Sequence, residues 1–386
     1  MQMQKQTQIP LSLYFHIPFC KMKCVYCDFY SLPGREATIP VFVPALISEF
    51  QRTIDGLDPN DFQLSTIFFG GGTPSLLAPA DLERIFTAIH KYFPVSPEIE
   101  ITLEANPGEA SFEKLRAFRK LGVNRLSLGI QSLQPELLRF MSRIHTAEQA
   151  RQTFKAARKA GFTNINTDLI FAIPGQTKTV WLSDLTEVIK WAPEHISAYS
   201  LTVEEGTALH RWVANQQVKM LQENDAAEMV LEGRAWLANH GYQPYEISNY
   251  AKPGFACRHN LHYWTQVPYL GFGPSAHSYL NEKRWWNVCS LDGYLQHIAN
   301  GRTVVAGEES LTTEQLRSEY IFTRLRLSDG ISRSDYRRRF GADFETRHGK
   351  RLEKWLAQHI ILCDDYYRLT GAGLLLADDI AADLMV

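Results

Sequence analysis

The sequence predicts an α/β protein: a partial (β/α)6 TIM-like barrel over residues 1–245, a connecting region at 246–309, and an α+β extension ending in a winged-helix-like module at 310–386. Three observations predict it. Six apolar, β-prone runs are each followed by a helical stretch. The chemically unusual residues fall at the C-terminal ends of those runs, where barrel enzymes build their sites. Near residue 245 the pattern stops, giving way first to aromatic, glycine-punctuated sequence and then to a compact helical tail.

The units run in order. "SLYFHI" (12–17) precedes a helix at 40–54, "STIFFG" (65–70) one at 79–92, and "EIEITLE" (98–104) one at 111–121. "RLSLGIQ" (125–131) precedes a helix at 146–160, "NINTDLIF" (164–171) one at 178–191, and "HISAYSLT" (195–202) one at 224–240. Continuously apolar strands suit a parallel sheet covered by helices. An open doubly wound sheet would also suit six units. Strand-end residues spread over so many strands converge only if the sheet curves, which favours an incomplete barrel. "YAKPGFACRHNLHYWTQVPYLGFGPSAHSY" (250–279) reads as loop-rich. In the tail, Thr312 and Gln315 fit a capping box before "RSEYIFTRLRL". Helices near 333–340 and over "FETRHGKRLEKWLAQH" follow, then a hairpin, "IILCDDYYRLT", turning at Asp364 and Asp365, and a last helix.

Bulk properties narrow the function. The chain has 386 residues, 40 Lys plus Arg against 42 Asp plus Glu, and a net charge of −2. That balance asks for neither nucleic acid nor an anionic membrane. The basic "RRR" at 337–339 reads as a solvated helix face. The start, "MQMQKQTQIP", lacks an apolar signal core, and no run approaches the roughly 18 apolar residues that span a bilayer. A cytoplasmic protein is expected, where thiols stay reduced and clustered cysteines bind metal more often than they pair.

Three of the six cysteines, Cys20, Cys24 and Cys27, form C-x3-C-x2-C directly after the first strand. Structural zinc sites take four ligands, usually in C-x2-C pairs, and no second pair exists. Three thiolates suit a [4Fe–4S] cube with one iron left without a protein ligand. S-adenosylmethionine, whose amino and carboxylate groups chelate, is the candidate for that open corner. An electron-transfer cluster, a zinc site and three unrelated buried thiols are the alternatives.

This spacing after strand one resembles the radical S-adenosylmethionine (radical SAM) superfamily. "YFHIPFCKMKCVYCDF" (14–29) resembles in particular its coproporphyrinogen III oxidase (HemN-like) branch, which includes the HemW-type haem chaperones. The resemblance runs from Tyr14 into the tail. It implies that Gly71, Gly72 and Thr73 of "GGGTPS" form the loop for the methionine amino group, and that Asp168 of "NTDLIF" faces the ribose. Glu104 of "ITLEANP", Gln131 of "SLGIQS" and Arg143 of "SRIH" join them as cofactor contacts. A strand-end carboxylate accepts hydrogen bonds from hydroxyl or amino groups, and a guanidinium pairs with a carboxylate. Tyr14 and Tyr26 match aromatic positions around the cluster.

Two features separate the branches. Porphyrinogen-oxidising relatives carry a further cysteine, C-x3-C-x2-C-x-C, where this chain continues from Cys27 with Asp28 and Phe29. They also have a longer segment before the cluster. "CRHNLHYW" (257–264) instead matches HNxxYW, resembling the haem chaperones. His259 is the candidate haem ligand, with His262 and Cys257 as alternatives. The competing reading has His259 and Asn260 fixing a buried loop. "GFGPSAHSY" (271–279) lacks the βαβ context of a dinucleotide fingerprint, and its His277 either touches a ligand or caps a loop. The expectation is a haem chaperone binding haem, a [4Fe–4S] cluster and S-adenosylmethionine, with an apo-haemoprotein acceptor and an electron donor as unidentified partners, and compatible with a homodimer. The rivals are an oxygen-independent coproporphyrinogen III oxidase and another radical enzyme acting on RNA. Whether the chain is an enzyme stays open.

Overall fold

The computed structural model describes residues 8–356 and 358–385. The polar start at 1–7, read in the sequence as lacking an apolar signal core, lies outside them.

Six strands form the centre: β1 (Ile9–Ile17), β2 (Phe62–Gly71), β3 (Glu100–Ala105), β4 (Arg125–Gln131), β5 (Ile165–Phe171) and β6 (His195–Ser200). They pair side by side in chain order, every pair parallel. Helices Ile39–Asp55, Pro79–Tyr92, Phe112–Lys120, Ala147–Lys159, Lys178–Lys190 and Glu223–Asn239 follow them in turn. Each predicted unit is present. The strands are apolar on both faces because both faces are covered: β4 is buried from Arg125 through Ile130. Helix starts are fixed locally. Thr146 and Gln149 form a reciprocal capping box, and the Ser111 and Thr177 hydroxyls accept from the backbone amides of Lys114 and Val180. Beneath the helices the core is dense and aromatic, with Phe15 stacked on Phe69 at 5.1 Å and on Phe272 at 5.2 Å between ring centroids.

Phe272 marks the main difference from expectation. The stretch after 245 is not loop-rich; it completes the sheet at both edges. Asn249–Ala251 pairs antiparallel with β6, while Tyr269–Phe272 returns to lie parallel to β1 on its free side. His277–Leu280, Lys283–Asn287 and Val305–Ser310 then add an antiparallel meander, and with Gln243–Pro244 beside Asn249–Ala251 the sheet has twelve strands among the described residues. Strands of three to six residues broken by glycines carry too little periodicity to be read as strands. Between these edges, Arg258–Thr265 is a helix.

The tail has its own core, in which Tyr320, Tyr336, Phe344, Leu352 and Ile380 pack together. Its first helix, Thr313–Arg326, opens with the expected Thr312–Gln315 capping box. Ile331–Ser332, Tyr366–Leu369 and Ile360–Cys363 form a three-stranded antiparallel sheet, and short helices Gly371–Leu374 and Ala377–Met385 follow. The arginines of "RRR" are drawn into local ion pairs, Arg338 and Arg339 with Asp335, and Arg337 with Asp343. Among the described residues, no helix is long and apolar enough to cross a membrane.

Candidate functional site

At the C-terminal ends of the central strands lies a cavity of about 790 Å³. Cys20, Cys24 and Cys27 line it from the loop after β1. Gly71, Gly72 and Thr73 enter after β2, Glu104 from β3, Gln131 from β4 and Asp168 from β5. Tyr26 and Arg143 join them, and of the predicted cofactor set only Tyr14 is absent from the lining. Residues from the ends of neighbouring parallel strands thus line one space.

The three thiols are free, with Cys20 buried and Cys24 and Cys27 half-buried. The Thr73 hydroxyl donates to Cys20 Sγ at 3.5 Å, and Arg143 Nη1 donates to Cys24 Sγ at 3.4 Å. Burial pushes the Cys20 thiol up and the Cys27 thiol up to about 11. Thiolates are costly in such a pocket unless a cation stabilises them. Among the described residues, no group of three or more His, Cys, Asp or Glu side chains is arranged to hold a single metal ion. A polynuclear cluster takes one thiolate per iron, so its ligands need not converge on one point. Cys257 and Cys289 do not line the cavity. The donor set fits a three-thiolate iron–sulfur cube.

The glycine loop is shaped for close approach. Gly71 has φ +106°, and a Cβ there would stand 2.5 Å from the His16 ring. A Cβ on Gly72 would stand 2.6 Å from the Phe19 carbonyl oxygen and 2.8 Å from that of Ile17. Glu104 Oε2 accepts from the Gly71 amide at 3.2 Å. Burial, with Asp168 nearby, pushes the Glu104 carboxyl up to about 8. Asp168 is also raised by burial, against hydrogen bonds from Ser197, Ser127 and Asn166. Two buried carboxyls held above their usual range favour a ligand carrying a cation and hydroxyl donors. Arg143 is fixed by Nη2, which donates to Asn106 Oδ1 at 2.6 Å and to the Gly129 carbonyl at 2.7 Å.

Tyr14 stands apart from the cavity lining. Its hydroxyl lies 3.1 Å from His16 Nδ1, and His16 Nε2 donates to the Tyr30 carbonyl at 2.7 Å. That carbonyl only accepts, so the proton sits on Nε2 and the Tyr14 hydroxyl donates to Nδ1. Tyr14 therefore braces the cysteine loop from behind.

The 257–264 segment lies elsewhere. Its helix sits against Ser12 of β1, Thr66 and Phe68 of β2 and Glu100 of β3, outside the cavity lining. His259 is 1% exposed. Its ring stacks on Phe68, with centroids 5.0 Å apart. Thr66 donates to Ser12 at 2.9 Å, so His259 Nδ1 donates to Thr66 Oγ1 at 2.7 Å. Nε2 then accepts from the Tyr263 hydroxyl at 3.0 Å, filling the lone pair that a metal would take. Burial, with His262 and Arg125 nearby, lowers the imidazole to about 3. His262 Nδ1 lies 2.6 Å from the Ser12 hydroxyl. Cys257 is buried, donates to Glu100 Oε1 at 3.5 Å, and is pushed up to about 12 by burial. His259 and Cys257 are thus held by protein partners, while His262 is half-buried and engaged through Nδ1. His277 lies outside the cavity, its ring stacked with Trp286.

Sequence reasoning missed several lining residues. Asn106 and Ser127 were within reach, sitting beside Glu104 and on the same strand as Gln131. Tyr199, Arg326 and Leu374–Asp379 were not, because the tail reaches the cavity only through tertiary packing.

Comparison with known proteins places this geometry. Residues 14–190 match the radical SAM superfamily, and residues 311–376 match the HemN C-terminal domain. The haem chaperone HemW of Lactococcus lactis subsp. lactis (strain IL1403) is 34% identical over 375 residues, covering 97% of each chain. HemW of Escherichia coli (strain K12) is 33% identical over 377 residues, covering 95% of this chain and 96% of that one. Among solved structures, coproporphyrinogen III oxidase (HemN) from Escherichia coli, a radical SAM enzyme, superposes with a TM-score of 0.83 at 23% identity, over 99% of this chain and 91% of that one. At that identity the likeness speaks for the fold.

Proposed function

The chain belongs to the radical SAM superfamily, in its HemW-type branch with a HemN C-terminal domain, and from that premise we propose that it is a haem chaperone. It binds haem, a [4Fe–4S] cluster and S-adenosylmethionine, and passes haem to an apo-haemoprotein, as a cytoplasmic protein. The fold is read as a partial (β/α)6 barrel with a winged-helix-like tail.

The observation that carries the cofactor half is the cavity lined by three free thiols beside two buried carboxyls and a glycine cradle. Family membership implies such a cofactor pair. Cys20, Cys24 and Cys27 are the cluster ligands. Gly71, Gly72, Thr73, Glu104, Gln131, Arg143 and Asp168 embrace S-adenosylmethionine, with Tyr26 against the cluster. When bound, the pair supplies one-electron chemistry at a sulfonium. Glu104 and Asp168 orient ammonium and hydroxyl groups, Arg143 offers a cation to a carboxylate, and the buried walls exclude water. The haem half rests on kinship and on the absence of a cysteine after Asp28, where Phe29 stands.

The test is anaerobic reconstitution, followed by iron and sulfide determination, haem titration at the Soret band and transfer to an apo-haemoprotein. Haem binding with transfer supports the reading. Carbon dioxide release from coproporphyrinogen would favour the oxidase instead.

A further inference from the structure

Three neighbouring parallel strands carry a row of polar side chains that leads to the cavity. Ser127 on β4, Asn166 on β5 and His195 on β6 stand side by side in register. Asp168 and Ser197, each two residues further along, share their face and pair in register too. Ser127, Asn166, His195 and Ser197 are buried. Asp168, at the cavity end of the row, is part of the lining. Buried polar groups in such numbers need one another as partners.

The hydrogen bonds run in one direction, from the 257–264 segment to Asp168. Glu100 accepts from the backbone amides of Arg258 and His259 at 3.0 and 2.9 Å, which pins the first turn of that helix to β3. Asn260 follows, and its Nδ2 donates to the Tyr245 hydroxyl at 3.2 Å. That hydroxyl lies 2.9 Å from His195 Nε2. His195 Nδ1 lies 2.6 Å from Asn166 Oδ1, which only accepts, so Nδ1 carries the proton. Burial keeps the ring neutral, and Nε2 therefore accepts from Tyr245. Asn166 Nδ2 donates in turn to Asp168 Oδ1 at 2.8 Å and to the Ser127 hydroxyl at 2.7 Å. Ser127 donates to Asp168 Oδ2 at 2.9 Å. Both oxygens of the cavity acid are thus held by donors at the end of one aligned chain. Hydrogen bonds aligned head to tail polarise one another, so a loss at the far end loosens the near one.

We propose that Asn260 is a positioning residue for S-adenosylmethionine, holding Asp168 in place for the ribose through Tyr245, His195 and Asn166. This rests on the reading of Asp168 as the ribose-facing acid. It extends the cofactor site to a helix that contributes nothing to the cavity lining. His259 and Asn260, adjacent in the sequence, then have separate tasks: the first locks the helix to Thr66, the second reaches the cofactor acid.

The experiment uses the full-length protein reconstituted anaerobically. Equilibrium dialysis compares S-adenosylmethionine with its 2′,3′-dideoxyribose analogue, which lacks the ribose hydroxyls. The proteins are wild type, Asn260→Ala, Tyr245→Phe, the double variant of these two, and Asp168→Asn. Asn260→Ala and Tyr245→Phe each weaken S-adenosylmethionine about fivefold and leave the analogue and the iron content as in wild type. Together they weaken it no further than either alone, because both cut the same chain. Asp168→Asn also loses the preference for the natural cofactor. Tyr245→Phe keeps the ring and its packing, so its result stands even if Asn260→Ala fails to fold. No loss in Tyr245→Phe, or equal loss for the two ligands, would overturn the proposal, as would additive losses in the double variant. Wild-type preference in Asp168→Asn would overturn the ribose contact and the proposal together. Preference lost in Asp168→Asn alone would overturn the proposal and leave the ribose contact standing.

Discussion

The cysteine loop and the Arg258–Thr265 helix crowd metal-binding residue types into equally short stretches, yet they differ in what their lone pairs are doing. On the loop, three sulfurs face a cavity, with Thr73 donating to Cys20 and Arg143 to Cys24. On the helix, the His259 lone pair is already taken by Tyr263, its N–H by Thr66, and the Cys257 thiol by Glu100. The first arrangement has capacity to spare for a ligand. In the second, His259 and Cys257 are already bonded within the protein, and each partner removes a cost of burial. Residue type and spacing suggest a site; unfilled valence makes one.

The contrast can be broken most decisively at the cysteines. Alanine at Cys20, Cys24 or Cys27 is expected to abolish retention of iron and sulfide after anaerobic reconstitution, measured by colorimetric assay. Cys257→Ala should retain both. Loss of the cluster in Cys257→Ala would end the distinction between the two regions.

Next in size is His259→Ala. It leaves the Thr66 and Tyr263 hydroxyls short of a partner and opens a void beside Phe68, costing about 3 kcal/mol of stability. Chemical denaturation should show that loss with the iron content unchanged.

The inner cavity supplies a smaller, pH-dependent effect. Glu104 is held at about 8, above its ordinary value of 4.5. The folded chain therefore holds this proton more tightly than the unfolded one, and the carboxyl's contribution to stability declines as pH rises from 4.5 to 8. A ligand ammonium or hydroxyl needs the ionised form. Affinity for S-adenosylmethionine should thus rise with pH, approaching about tenfold per unit below 8, and level off above it. Equilibrium dialysis from pH 6 to 9 tests this, and Glu104→Gln should flatten the profile.

The smallest effect is expected at Arg338→Ala in the basic run. Its exposed pair with Asp335 is worth at most about 1 kcal/mol, and DNA retention on a filter should be no different from wild type.

Much of this was legible because the parallel sheet and its helices are built from local, repeating signals. All six strand–helix units have continuous apolar strands and helix periodicity, and Thr312 with Gln315 announces a helix start within four residues. The inner cavity was legible for the same reason: glycines, acids and cysteines at strand ends line one space. The return of Tyr269–Phe272 to β1 was not, because four residues carry no period and the pairing spans most of the chain. The burial of His259 was illegible too. Thr66, Phe68 and Tyr263 decide it, and two of those belong to a strand nearly two hundred positions earlier.

That late return has a consequence for biogenesis. β1, which ends at the cluster loop, is flanked by Phe62–Gly71 on one side and Tyr269–Phe272 on the other. Tyr30, beyond the last cluster thiol, receives the amide of Leu291 on its hydroxyl at 2.6 Å. A nascent chain halted on the ribosome before these segments emerge has a strand edge exposed and a cysteine loop only partly anchored. The packing around the cysteine loop is therefore complete only once some three-quarters of the polypeptide has been made.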